Sequence, residues 1–87
     1  MPLLPSSFRL VTAAQLGQLL VAARKQCKLT QAQVGHRVCL SQNRISYLEK
    51  NPDDISFRQL LMWSAAVGLE LHLAERDNGE LQNEPEW

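Results

Sequence analysis

The sequence predicts an all-α domain of four short helices followed by a single C-terminal strand, and three observations predict it. Apolar residues recur at helical spacing in four segments, each opened by a Ser or Thr suited to capping. The second and third segments are separated by only three residues, too few for anything but a tight turn between two helices. Period-2 alternation occurs once, at residues 69–73, after the last helix.

Residues 1–11, with Pro2 and Pro5, read as an extended arm that Phe8 and Leu10 anchor on the core. Thr12 and Gln15 have capping-box spacing, and Leu16, Leu19, Leu20, Ala23 and Cys27 then form one inward stripe that leaves Arg24 and Lys25 exposed. This first helix ends near Lys28. Thr30 and Gln33 repeat the box, so a second helix spans Gln31–Val38 with Val34 and Val38 facing in. Residues 39–41 break it, and Ser41 caps a third helix over Gln42–Lys50 whose buried side is Ile45 and Leu48. Asn51, Pro52, Asp53 and Asp54 form a loop. Ser56 caps the fourth helix, which ends where Gly68 takes the left-handed conformation.

The fourth helix, FRQLLMWSAAV, is apolar around much of its circumference, which implies cover on two sides. A second copy of the chain is the expected second cover, reached through Met62 and Trp63. Leu69, Leu71 and Leu73 alternate with Glu70, His72 and Ala74, and a lone strand in a helical chain needs the same strand of another copy. The expected organisation is an arm (1–11), a domain (12–75) that dimerises through Met62, Trp63, Leu69, Leu71 and Leu73, and a flexible acidic tail (76–87).

The net charge is zero, but it is unevenly distributed. Arg9, Arg24, Lys25, Lys28, Arg37, Arg44 and Lys50 face Glu49 alone up to Pro52, whereas two basic and eight acidic residues follow from Asp53 onward. One half is therefore suited to a polyanion and the other to something else. Cys27 and Cys39 do not suggest a secreted disulfide framework, and no stretch approaches the roughly 20 apolar residues of a membrane span, so the cytoplasm is the expected compartment. His36 and Cys39 have half the spacing of a zinc site with no second pair, and no nucleophile–base set or phosphate-cradling loop is present. No enzyme activity, metal or cofactor is expected. With 87 residues there is no room for a separate sensing domain, and a dimer is the default for so small a core.

In two helices joined by a tight turn, the second reads base edges in the major groove while the first crosses the backbone. Ser41, Gln42, Asn43, Arg44, Ser46 and Tyr47 lie mostly opposite Ile45 and Leu48, and Gln and Asn pair bidentately with adenine as Arg does with guanine. Thr30, Gln31, Arg37 and Lys50 are the expected phosphate contacts. A surface helix is more often polar merely because it is solvated, but the order of cap, helix, turn and polar helix together with the charge split favours recognition of double-stranded DNA.

The segment LTQAQVGHRVCLSQNRISYLEKN resembles the helix-turn-helix of the Cro/C1-type (XRE) repressors, with their TQ, SQ..IS and following Glu. That resemblance implies a lambda-repressor-like bundle binding a palindromic operator as a homodimer. EKNPDD, LELHL and the final Glu86–Trp87 are similar to the HipB-like antitoxins of HipA-type serine/threonine kinase toxins. The likeness covers residues 12–73 and the last two. It implies an autoregulating, nucleoid-associated antitoxin whose kinase partner binds away from the DNA, with Trp87 as a partner contact. Two other readings stand beside it: a phage-like or housekeeping XRE repressor with no toxin, and a kinase-neutralising scaffold for which DNA binding is secondary. The chain departs from the family at Cys39, where Gly is usual and a left-handed Cys costs on the order of 1 kcal/mol, and at Gly35, where Ala is usual.

Overall fold

The computed structural model describes residues 7–76. In chain order come α1 (Ala13–Gln26), α2 (Gln31–Val38), α3 (Gln42–Lys50), a 3₁₀ turn (Pro52–Asp54) and α4 (Phe57–Ala66). Thr12, Thr30 and Ser56 each form the reciprocal capping box with Gln15, Gln33 and Gln59, so hydroxyl and carboxamide satisfy amides that a helix start leaves unpaired. Ser41 caps α3 alone, its Oγ accepting from the Arg44 amide at 3.0 Å.

Three helices end in left-handed residues: Lys28 (φ 59°), Cys39 (φ 61°) and Gly68 (φ 81°). After each, the next amide donates to a carbonyl back in the helix, Leu29 to Arg24 at 3.0 Å, Leu40 to Gly35 at 2.8 Å and Leu69 to Ser64 at 2.8 Å. The tight return after α2 explains Gly35. A Cβ there would lie 2.4 Å from the Leu40 carbonyl oxygen, closer than any relaxed contact.

Leu20 and Ala23 of α1, Val34 and Val38 of α2, Ile45 and Leu48 of α3, and Trp63 and Val67 from α4 and its end form the core. α2 packs on α3 and α4, while α1 packs on α3 and the 3₁₀ turn. Several expectations are corrected here. Trp63 is 0% exposed within one chain, packed in the core with residues of α1, α2 and α3, and so has no surface to offer a second copy. Cys27, placed on the inward stripe, is an exposed residue whose Sγ–H donates to the Val67 carbonyl at 3.3 Å. Phe8 and Leu10 stay exposed rather than anchoring on the core.

No strand forms among the described residues. A strand is defined by its ladder, and residues 69–73 pair with none of the described residues. Leu69 packs half-buried against the core, whereas Leu71 and Leu73 are exposed. The tail from Asp77 to Trp87 lies outside the described residues. Among the described residues no helix is long and apolar enough to cross a membrane.

Candidate nucleic-acid interface

The nine residues of α3 divide by environment. Ile45, Leu48 and Glu49 are buried; Gln42, Asn43, Arg44, Tyr47 and Lys50 are exposed, as is the cap Ser41, and Ser46 is half-buried. The helix is thus anchored along one side and presents amide, guanidinium, hydroxyl and phenol groups along the other. Arg44 Cζ lies 5.1 Å from the Tyr47 ring centroid, a cation–π contact. The Tyr47 hydroxyl in turn donates to Asp54 Oδ2 in the 3₁₀ turn. That hydrogen bond and the charge of Asp54 raise the Tyr47 pKa above its ordinary value of 10.0, since both disfavour a phenolate there.

The base of α3 is held by a buried ion pair that the sequence did not signal. Arg24, expected to be exposed, donates from Nε to Glu49 Oε2 at 2.7 Å and from Nη2 to Oε1 at 3.3 Å; the two side chains retain 12% and 5% of their surface. A third donor, Nη1, reaches the Leu29 carbonyl at 3.1 Å, and Gln31 Nε2 completes the set on Glu49 Oε1 at 2.9 Å. The Arg24–Glu49 pair therefore ties α1, the connection after it, the start of α2 and the end of α3 together. The apolar stripe of α1 leaves Arg24 outside it and reads as exposing it, because its partner is 25 residues away, beyond any periodicity.

The four residues expected to hold phosphates are in different states. Thr30 is exposed, and its hydroxyl accepts from the Gln33 amide at 3.0 Å within the capping box. Gln31 is half-buried and committed through its amide nitrogen to Glu49. Arg37 is exposed with Nη1 on the Ala66 carbonyl at 3.1 Å, where a cation complements the C-terminal end of α4. Lys50 is exposed at the end of α3. On α4, Phe57 (69% exposed), Leu61 (46%) and Met62 (41%) are exposed apolar side chains; Met62 is the one expected at a dimer interface. Phe57 and Leu61 are four residues apart and so on one side of the helix. Among the described residues no three His, Cys, Asp or Glu side chains gather as a metal site.

A family model described as helix-turn-helix matches residues 20–73, more than half of the chain. No curated protein and no solved structure matches it.

Proposed function

Because the chain belongs to the Cro/C1-type (XRE) helix-turn-helix family, a family of DNA-binding regulators rather than enzymes, we propose that it is a sequence-specific transcriptional repressor that binds a palindromic operator as a homodimer. The observation that carries this reading is α3 itself. Its apolar side is locked by the core and by Glu49, while Gln42, Asn43, Arg44 and Tyr47 extend into solvent with the donor and acceptor patterns that distinguish base pairs in a major groove. Ser41 and Ser46 complete the base-reading set. Thr30, Arg37 and Lys50 contact phosphates, with Gln31 contributing through the groups Glu49 leaves unused. Dimerisation through Met62, Leu71 and Leu73, with residues 69–75 paired across a two-fold axis, places the two α3 helices roughly 34 to 36 Å apart. The exposure of these three side chains supports it.

The similarity of EKNPDD, LELHL and Glu86–Trp87 to HipB-like antitoxins supports a finer reading, in which the operator belongs to the operon of a HipA-type kinase and Trp87 contacts that kinase. Selection from a random duplex library with the full chain tests the main reading. Enrichment of an inverted repeat with half-sites about 10 base pairs apart is expected; a pool that stays random overturns it. Co-purification of a kinase with the chain expressed in its native operon tests the finer one, and a regulator that copurifies with no kinase removes it.

A further inference from the structure

Arg44, Tyr47 and Asp54 form a continuous array that begins on α3 and ends outside it. Arg44 and Tyr47 are three residues apart, so their side chains share a face of the helix, and the guanidinium rests over the ring at 5.1 Å. The ring is 43% exposed, so packing alone does not fix it. The hydroxyl at its far end does, by donating to the Asp54 carboxylate. Asp54 is itself held by the 3₁₀ turn, its amide donating to the Asn51 carbonyl at 3.0 Å. The order of support therefore runs from backbone to carboxylate to phenol to guanidinium.

We propose that Asp54 is a positioning residue for sequence recognition: by holding the Tyr47 ring it gives Arg44 a fixed platform, so that the guanidinium meets a base edge already oriented. The inference rests on α3 being the base-reading helix. A free Arg loses much rotamer freedom on forming a bidentate contact, and stacking on a ring removes part of that loss before DNA arrives. Asp54 also places a negative charge beside a surface meant for a polyanion, which weakens binding to every sequence alike. The carboxylate thus lowers non-specific affinity while the array it supports raises discrimination. The raised pKa of Tyr47 is consistent with the phenol staying a donor to Asp54 throughout the neutral range.

The test measures, for the full chain and at one salt concentration, the ratio of affinity for the selected operator to affinity for a random duplex. Tyr47→Phe and Asp54→Ala are each expected to lower that ratio about two- to fivefold, the worth of an exposed cation–π contact, and the double variant to lower it no further. Asp54→Asn retains an acceptor for the hydroxyl, so it is expected to keep the ratio while tightening binding to both DNAs. An unchanged ratio in Tyr47→Phe and Asp54→Ala overturns the proposal, as does an Asp54→Asn variant that loses as much as Asp54→Ala. Tyr47 is the sole tyrosine, so its titration in the DNA-free protein provides a second readout. It is expected above 10 in the parent and closer to 10 in Asp54→Ala; an ordinary value in the parent refutes the latch while leaving the reading of α3 intact. A parent chain with no operator preference refutes both.

Discussion

Lys28 and Cys39 close helices in a left-handed conformation that costs a side-chain-bearing residue about 1 kcal/mol or more relative to Gly. Cys39 was legible as a departure, because the family turn has Gly there; Lys28 was not, since nothing around it marks a left-handed residue. Cys39→Gly and Lys28→Gly are each expected to raise stability by about 0.5 to 1 kcal/mol, read as a higher denaturant midpoint at unchanged slope. Gly35 is the complement of Cys39. The Leu40 carbonyl occupies the space an Ala methyl needs, so Gly35→Ala is expected to cost about 2 kcal/mol. Adding Cys39→Gly frees the turn to shift, and the double variant should recover more than Cys39→Gly yields alone. Strict additivity in that cycle would separate the two departures.

At the scale of elements, the four helices and their starts were legible because each start is written in short-range chemistry, a capping hydroxyl that at three of them has a Gln three residues on. Their packing was less legible, because periodicity says which residues are covered and not by what. The apolar circumference of α4 suggested a second copy over Trp63, yet the core of one chain already buries it. The strand at 69–73 has the right alternation, but a ladder needs a second strand that the described residues do not hold. The pairing of Arg24 with Glu49 was also hidden, since Arg24 reads as an exposed charge and nothing in the sequence links it to Glu49. Removing one partner strands the other where solvent is scarce, so Arg24→Ala is expected to destabilise the fold by about 3 kcal/mol in thermal unfolding. It should weaken operator binding through the loosened end of α3. A loss below about 0.5 kcal/mol would place the pair among surface ion pairs.

Over the whole molecule, the charge split and the helix-turn-helix coincide along the sequence: the basic half carries α3 and the acidic half follows it. Arg24 belongs to the basic count but is neutralised by Glu49, so the field toward DNA comes from residues such as Arg44 and Lys50 that remain exposed. The exposed apolar side chains Phe57, Leu61, Met62, Leu71 and Leu73 are left uncovered by the described residues. Replacing both Leu71 and Leu73 with Asp is expected to yield helical monomers with weakened operator binding; light scattering that still shows a dimer would remove residues 69–75 from the interface. Whether α3 reads sequence is decided by binding of the Gln42→Ala chain to cognate operator and random duplex across a salt series. A loss of about 1 to 3 kcal/mol on the operator alone with an unchanged salt slope is expected, whereas Arg37→Ala weakens both DNAs and makes the slope shallower by about 1. Equal losses for Gln42→Ala on operator and random DNA would contradict sequence reading by α3.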